Sequence, residues 1–498
     1  MPPEIIEDNQ VVSDFYETSV HPPNQRKRAA LILGAVAVVA VIGIGFALFS
    51  DRAVAVADKA EEVAVEATTS VVNFARSLVE VPVTLDGGRI AAAYPLPQEG
   101  KAIVANLSEM KLYLFEDGVA STSYDILSRG RPGTAWETPP GSYAVKTKEL
   151  EHYSTIGDVW MPFAMQFQGN FFIHGWPYYS SGAQVPEGYS GGCVRMGTDD
   201  MGEIYEFGEI GTPVIVLGGD ATAENSTASG GYGLLPEAPK FPTLRAKSFV
   251  VGDLDTGDIF ARRDDELVRP IASVAKLMTA AVDLELLNQY DETKISKQAV
   301  STEESYGNLR AGETLAVSDL LYPLLLESSN DAAEALAEIA GRARFLGSMN
   351  DKAASIGLAD TNFDDPAGLS AETKSTAADL FRLVQYIHRY KAFILKTSLV
   401  KEYAVGAHRW RNSSQLLNDE DYAGGKHGYI PAAGKTLVAT FSLRLSEFDD
   451  RSVAVVLLDS SDPRGDAQAA KKYLNRWVSW TPAATPLVAN TATSTAAI

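Results

Sequence analysis

The chain has 498 residues, of which 46% are hydrophobic, and a formal net charge of −21 at pH 7. This length predicts about two or three domains, each large enough to bury a core. The excess of acidic residues argues against a nucleic-acid partner, because nucleic acids are bound by basic surfaces. The sequence has no phosphate-binding loop, zinc motif or dinucleotide fingerprint, so we expect neither a cofactor nor a metal.

Residues 1–99 contain one long apolar run. Residues 1–28 are polar and end in Arg26-Lys27-Arg28, whereas residues 29–50 are uncharged and rich in Leu, Ile, Val, Ala and Gly. A run of about 20 apolar residues can cross a bilayer, and basic residues before it favour a cytoplasmic N-terminus. We therefore expect a transmembrane helix at 29–50, a cytoplasmic tail before it and an extracytoplasmic stalk at 51–99. A cleaved signal peptide and a buried core helix are the alternatives.

Residues 100–217 are predicted to form a mostly-β domain. Strand-like runs at 102–105 and 111–115 are separated by a turn at 116–118, and a further strand closes the unit at 212–217. Another apolar run, at 170–173, predicts a strand that ends at His174.

Cys193 is the only cysteine of the chain, so it cannot form an intramolecular disulfide. It lies in the run Ser190-Gly191-Gly192-Cys193-Val194-Arg195, after a loop long enough to fold back beside His174. A thiol needs a nearby base to become a nucleophile, and glycine-flanked backbone N–H groups can hold an oxyanion. The pattern favours a catalytic thiol, and a small buried hydrophobic residue is the alternative.

This segment resembles the L,D-transpeptidase catalytic domain, whose signature is His-Gly, a loop, and Ser-His-Gly-Cys-Val/Ile-Arg. The resemblance implies that Cys193 is the nucleophile and His174 its base. It also implies that the Gly175 backbone orients the imidazole, and that Ser190, Gly192 and Arg195 support the site. Gly191 departs from the signature, which has a second histidine there. Three loop tyrosines either line a substrate cleft or are only loop aromatics: Tyr178, Tyr179 and Tyr189.

Residues 218–244 are rich in Gly, Ser, Thr and Pro and predict a linker. Residues 245–480 contain both strand and helix patterns and predict an α/β (α+β) domain. The Ala/Thr/Pro-rich residues 481–498 predict a disordered tail. The fold class is therefore multidomain.

Three short motifs follow one another in residues 245–480: Ser273-x-x-Lys276, Ser328-x-Asn330 and Lys426-His427-Gly428. On a helix Ser273 and Lys276 share one face. A lysine titrates near ~10.4, so it acts as a base only where burial or positive neighbours lower its pKa. A lone Ser-x-x-Lys is better explained as a capping serine and a solvated lysine, but the three motifs in this order form a combined signal.

The second domain looks like the D-alanyl-D-alanine carboxypeptidase family, with the fold of serine β-lactamases and penicillin-binding proteins. The resemblance implies that Ser273 is the nucleophile and Lys276 its base. Ser328 would relay a proton to the leaving amine, Asn330 would bind the substrate amide and Lys426 the terminal carboxylate. The N–H groups of Ser273 and Tyr429 would form the oxyanion hole, with Gly428 beside them. His427 departs from the family, which usually has Thr.

Together the apolar run at 29–50 and the two resemblances predict a membrane-anchored enzyme of peptidoglycan remodelling, with its catalytic domains outside the cytoplasm, on the periplasm or cell-wall side. Stem peptides would be its substrates and β-lactams its inhibitors. The serine site would remove terminal D-Ala, and the cysteine site would cross-link tetrapeptide stems. The main alternative is that one domain only binds peptidoglycan, and a β-lactam hydrolase at the serine site is a further one.

Overall fold

The computed structural model describes residues 97, 99–218, 230–303, 306–445 and 450–482. The predicted transmembrane helix, the cytoplasmic tail and nearly all of the stalk lie outside these residues. Within the described ranges, no helix is both long and apolar enough to cross a membrane. Apart from Val119–Thr122, the described residues belong to one compact unit, which contains both predicted catalytic domains.

The first domain is mostly β, as its sequence pattern predicts. Its strands are β1 Lys101–Asn106, β2 Lys111–Glu116, β3 Val119–Ser128, β4 Gly141–Ala144, β5 Thr147–Ser154, β6 Val159–Gln168, β7 Phe171–His174, β8 Tyr178–Tyr179, β9 Val194–Met196 and β10 Pro213–Leu217, with one helix, α1 Thr198–Phe207. They form one sheet in the order β4-β10-β1-β2-β3-β9-β7-β6-β5, and β8 pairs with β6.

The pairing of β7 with β9 brings the predicted cysteine-site residues together. The two strands are parallel, with Ile173 opposite Val194 and His174 opposite Arg195. Ile173 and Val194 are fully buried in the domain core. Since side chains alternate between the faces of a sheet, His174 lies on the other face, as does Cys193, the residue before β9.

The second domain has helices packed on both faces of an antiparallel sheet. Its strands are β11 Gly230–Leu234, β12 Ser248–Asp253, β13 Ile259–Arg263, β14 Arg269–Pro270, β15 Glu292–Lys294, β16 Thr314–Ala316, β17 Lys374–Ser375, β18 Glu402–Val405, β19 His408–Arg411, β20 Tyr422–Ile430, β21 Gly434–Leu443, β22 Arg451–Ser460 and β23 Val478–Pro482. Its helices are α2 Lys276–Leu286, α3 Asn330–Ile339, α4 Arg342–Ser355, α5 Ala377–Tyr390, α6 Ala392–Thr397 and α7 Pro463–Trp477. The central sheet has the order β13-β12-β22-β21-β20.

The two faces of this sheet contribute to separate cores. Val250, Val438 and Val456 pack with the helical subdomain, which includes α2 and α5. Alternate residues such as Val251 and Val455 pack against α7 on the other face. Every residue of α2 is buried, so this helix lies inside the domain along its whole length.

The boundaries of the second domain differ from the sequence prediction. The predicted linker at 218–244 contains strand β11, which pairs antiparallel with β23 at 478–482. The domain therefore includes part of that linker and the first two residues of the predicted tail. Sequence patterns missed β11 because its glycines are poor strand formers.

Candidate active sites

Ser273 and Lys276 lie at the start of α2, where a 3₁₀ turn at Ala272–Ala275 leads into the helix. The Lys276 side chain is fully buried. Its Nζ donates to Ser273 Oγ at 2.9 Å, to Asn330 Oδ1 at 2.8 Å and to Ala367 O at 2.7 Å. These three bonds use all three protons of a charged amine. In its neutral form the same amine would lie within proton-transfer distance of the hydroxyl, as a general base requires.

Asn330 is placed by the beginning of α3. Ser329 caps this helix, with its Oγ accepting from Ala332 N at 3.1 Å. The Asn330 amide donates from Nδ2 to Glu303 O at 2.9 Å, so its Oδ1 faces Lys276. Ser328, one residue before the cap, follows a π-helical turn at Pro323–Glu327. Such turns occur often at functional sites.

Lys426, the lysine of the third motif, contacts Ser328, the serine of the second motif. Lys426 Nζ donates to Ser328 Oγ at 2.9 Å and to His427 O at 2.7 Å. Burial lowers the pKa of Lys426 to about 7. The amine therefore gains or loses its charge near neutral pH, and a bound carboxylate would favour the charged form.

His427, which replaces the usual threonine, lies beside Lys426. The positive charge of Lys426, then burial and the charge of Lys276, lower the pKa of His427 to about 3. The imidazole is therefore neutral at neutral pH and offers one donor and one acceptor. A threonine hydroxyl also offers both, so His427 can supply the same type of contact from a larger ring.

Close backbone packing and two residues with a left-handed backbone conformation shape this site. Ala272 and Ser328 have φ values of 51° and 63°. Non-glycine residues in this region cost about 1–3 kcal/mol and cluster at active sites. A Cβ on Gly428 would lie 2.5 Å from Ser273 N, so only glycine allows β20 to run this close to Ser273.

A cavity of about 780 Å³ opens over these groups. Its lining includes Ser273, Ser328, Asn330, His427 and Tyr429, which the sequence had assigned to the site. Three basic residues that the sequence had not singled out also line the cavity: Arg411, Lys435 and Arg464.

Asp365 is a further site-shaping residue that sequence reasoning missed. Its Oδ1 accepts from the backbone N–H of Ala367 at 2.8 Å, Gly368 at 2.6 Å and Leu369 at 3.0 Å. These bonds hold the loop that presents Ala367 O to Lys276. The Asp-Pro-Ala-Gly sequence is typical of such a turn, but it carries no sign that the loop meets the lysine.

In the cysteine site His174 is buried and neutral. Its Nδ1 lies 2.6 Å from Gly175 O. Since a carbonyl only accepts hydrogen bonds, Nδ1 carries the proton and Nε2 carries the lone pair. Burial above all, together with the charges of Arg195 and His152, lowers the pKa of His174 to about 3, and the Gly175 bond opposes only part of this effect. In this conformation the imidazole is a weak base.

Cys193 is half-buried, and its thiol points to the turn between β6 and β7. Its Sγ donates to Asn170 O at 3.7 Å. Burial raises the pKa of the Cys193 thiol above its ordinary value, against the effect of a Phe172 backbone bond and the Arg195 charge. The structure places Cys193 and His174 on one face of the sheet but does not join them by a hydrogen bond. The site therefore holds a neutral thiol beside a neutral imidazole.

The glycines before Cys193 have different environments. Ser190 Oγ accepts from Gly192 N at 3.1 Å and donates to Cys193 O at 2.6 Å, so it fixes the turn. Gly192 has a φ of +108°, and a Cβ there would lie 2.1 Å from the Phe171 ring. Gly191 is exposed, and a Cβ there would lie 4.0 Å from the nearest atom, Trp136 Cε3. The missing histidine is therefore not explained by lack of space.

Arg195 packs against Trp176, with its guanidinium carbon 5.7 Å from the ring centre. Its buried Nε has no hydrogen-bond partner among the described residues. A second cavity, of about 570 Å³, is lined by Glu151, Trp176 and Tyr178. Of the three loop tyrosines only Tyr178 lines it, and its hydroxyl donates to Glu151 at 2.5 Å. Cys193 and His174 do not line this cavity.

Comparison with known proteins gives the family. Residues 236–461 match the family model described as D-alanyl-D-alanine carboxypeptidase, and residues 100–216 match the L,D-transpeptidase catalytic domain. A D-alanyl-D-alanine endopeptidase of Escherichia coli (strain K12) is 31% identical over 231 residues, which are 44% of this chain and 73% of the relative. The D-alanyl-D-alanine carboxypeptidase DacB2 of Mycobacterium tuberculosis is 32% identical over 212 residues, 41% of this chain and 71% of the relative.

Among solved structures, a D-alanyl-D-alanine carboxypeptidase from Mycobacterium tuberculosis H37Rv is similar, with 26% identity and a TM-score of 0.44 over 48% of this chain and 94% of that chain. The chain belongs to the D-alanyl-D-alanine carboxypeptidase family and carries an L,D-transpeptidase catalytic domain before the carboxypeptidase domain.

Proposed function

We propose that the chain is a bifunctional peptidoglycan-remodelling enzyme. Its serine site acts as a D,D-carboxypeptidase, and its cysteine site acts as an L,D-transpeptidase. The observation that carries the proposal is the contact network of Lys276, which links the Ser273 hydroxyl to Asn330 inside an open cavity.

At the serine site, a neutral Lys276 takes the proton of Ser273 as its Oγ attacks the carbonyl carbon of the penultimate D-Ala. The N–H groups of Ser273 and Tyr429 hold the oxyanion. Ser328 gives its hydroxyl proton to the departing amine of the terminal D-Ala and then takes up the proton that Lys276 received from Ser273. Lys426, which donates to Ser328 Oγ, keeps its charge and pairs with the terminal carboxylate. Water then hydrolyses the acyl-serine ester and releases the shortened stem.

At the cysteine site, the thiol must turn from Asn170 O towards His174 Nε2 before it can lose its proton. The thiolate then attacks the carbonyl of the third residue of a tetrapeptide stem, and the terminal D-Ala leaves. The amine of a neighbouring stem attacks the acyl-cysteine thioester and restores the thiol. The carboxypeptidase would thus produce the donor that the transpeptidase uses.

The proposed location is the outer side of the cell membrane, with residues 29–50 as a single anchor, and with residues 100–217 and the domain after them outside the cytoplasm. The apolar run and the basic residues before it support this location. The substrates are stem peptides, and β-lactams are inhibitors that acylate the nucleophiles.

The alternative is that the first domain binds peptidoglycan without catalysis. Two observations favour it: Gly191 in place of the histidine, and a thiol whose raised pKa is not relieved by a hydrogen bond to His174. Under this alternative the serine site is the only enzyme.

Intact-mass spectrometry of the full chain in detergent separates these proposals. We expect a penicillin adduct that Ser273→Ala abolishes, and a carbapenem adduct that persists in Ser273→Ala and is lost when Cys193→Ala is added. An adduct at Ser273 alone would favour the binding module. Absence of both adducts would refute the bifunctional proposal. If Ser273→Ala cross-links pentapeptide stems as well as the unmodified chain, the supply of donor from one site to the other is wrong.

A further inference from the structure

The two catalytic domains meet at a buried polar contact. Glu285 of α2 forms an ion pair with Lys352 of α4 at 2.8 Å, and the two side chains are 1% and 0% exposed. Lys352 Nζ also donates to the hydroxyl of Tyr143, in β4 of the first domain, at 2.9 Å. Buried charges are costly unless all their partners are present. The buried Lys352 of the second domain therefore relies on Tyr143 of the first domain for one of its hydrogen bonds.

Lys391, just after α5, reaches into the first domain. It is 1% exposed, and its Nζ donates to Ala135 O at 3.3 Å and to Glu137 O at 3.1 Å. Both acceptors lie in the segment 134–138. The second domain thus fixes the backbone of this segment from outside.

The C-terminal end of α2 holds a second segment of the first domain, 168–171. Asn170 N donates to Glu285 O at 3.3 Å, and Asn170 Nδ2 donates to Leu286 O at 2.8 Å. The last carbonyls of a helix lack partners within the helix, and Asn170 supplies two. Gly169 is pressed so closely against the helix that a Cβ there would lie 2.6 Å from Glu285 O.

The same two segments support the Cys193 turn. Asn170 O accepts from the Cys193 thiol. The Cα of Gly192 faces both the Phe171 ring and Trp136 O, with a hypothetical Cβ 2.1 Å and 3.2 Å from them. A shift of either segment would therefore move the thiol or remove its present acceptor.

One buried helix joins these features to the serine site. Helix α2 has 11 residues and begins at Lys276, so it spans about 15 Å at a rise of 1.5 Å per residue. Its first residue contacts Ser273, and its last two hold Asn170. The two sites are thus connected through one element that has no exposed residue.

We propose that the carboxypeptidase domain is a positioning element of the cysteine site, acting through Lys391 and the C-terminal end of α2 on segments 134–138 and 168–171. This inference rests on the proposed role of Cys193 as a nucleophile. Asn170 and Lys391 are its positioning residues. The cysteine domain therefore needs its docked partner for the reactive geometry of the thiol.

The test compares Asn170→Ala and Lys391→Met with a matched control, Asp351→Ala. Asp351 pairs across the same interface with Lys146 at 2.7 Å. Lys146 also donates to Gln168 of segment 168–171 at 3.3 Å, and Asp351→Ala leaves both partners of that second bond in place. Because Cys193 is the only cysteine, iodoacetamide alkylation of the full chain reports on its thiol alone. Acylation of Ser273 by a fluorescent penicillin and thermal unfolding are measured in parallel.

A loosened turn lets water reach the thiol, so its raised pKa falls towards the ordinary value. We expect the alkylation profile, which is the alkylation rate measured as a function of pH, to shift to lower pH in both variants. We expect kcat for cross-linking to fall about tenfold with KM little changed, as small misplacements cause. Ser273 acylation should stay within about twofold of the unmodified chain. Lys391→Arg, which can still donate to both carbonyls, should restore the profile, and Asp351→Ala should leave it unchanged.

An alkylation profile of Asn170→Ala that matches the unmodified chain would overturn the proposal. So would a proportional loss of alkylation and penicillin acylation in Asn170→Ala, which indicates a merely structural role. If Lys391→Met fails to fold, Asn170→Ala decides, since it removes only one side-chain hydrogen bond. If the unmodified chain cross-links no stems, the proposed function of Cys193 fails, but the alkylation profiles still test the positioning.

Discussion

The charge of Lys426 should set the alkaline limit of the carboxypeptidase. Burial lowers the pKa of this amine to about 7, and only its charged form pairs with a substrate carboxylate. At pH 8 about one molecule in ten then carries the charge. We therefore expect kcat/KM for a peptide ending in D-Ala-D-Ala to fall about tenfold per pH unit above pH 7, since kcat/KM reports the free enzyme.

Three comparisons isolate this effect. The same peptide with a C-terminal amide lacks the carboxylate, so its profile should lack this decline. Lys426→Arg keeps a charge that does not titrate in this range, so its kcat/KM should be lower but flat from pH 7 to about 9. Lys435→Ala removes an exposed lysine of the same cavity and should keep the decline. A decline that persists in Lys426→Arg, or a flat profile in the unmodified chain, would refute the reasoning.

Two further changes test other parts of the molecule. Gly191→His has room for its side chain and should raise the rate of carbapenem acylation at Cys193. Gly192→His should abolish this acylation, because its Cβ would collide with Phe171. Equal acylation rates in Gly191→His and the unmodified chain would contradict a role for the missing histidine. Burial raises the pKa of Asp283 to about 8, and Gln289 offsets only part of the effect. Between about pH 4 and about pH 8, Asp283 therefore holds a proton in the folded state but not in the unfolded state. The free energy of unfolding should fall as pH rises through this range, by up to about 1.4 kcal/mol per pH unit. Asp283→Asn should flatten this dependence in denaturant unfolding, and an unchanged slope would contradict it.

The sequence predicted the parts of both sites that are carried by local spacing. Ser273 and Lys276 lie three residues apart at the start of a helix, so their contact follows from helix geometry. His174 ends a short apolar strand, and the return of the chain places Cys193 beside that strand. The strand-like runs at 102–105 and 111–115 also follow from patterns that lie within single elements, whereas the order of the strands in the sheet does not.

Contacts between distant segments were not predictable from one sequence. Asp365 and Ala367 reach Lys276 only through the folded loop, and Asn170 meets α2 only when the domains dock. The sequence around Lys352 and Lys391 does not indicate that either lysine is buried or which partner it contacts. The glycines of strand β11 gave no strand pattern, and its partner β23 lies at the opposite end of the domain sequence, so the sequence did not indicate their pairing either.

The two proposed nucleophiles differ in how much rearrangement they need. Ser273 already contacts Lys276, its proposed base, at 2.9 Å, so its site is organised before substrate binds. Cys193 instead donates to Asn170 O, and its thiol and the His174 imidazole are both neutral, so a rotation and a proton transfer must precede attack. Because Asn170 is held by the helix that begins at Lys276, the barrier to that rotation depends on the second domain. Under the proposed function, the serine site is organised when a stem peptide binds, whereas the cysteine site must first lose the hydrogen bond from its thiol to Asn170 O.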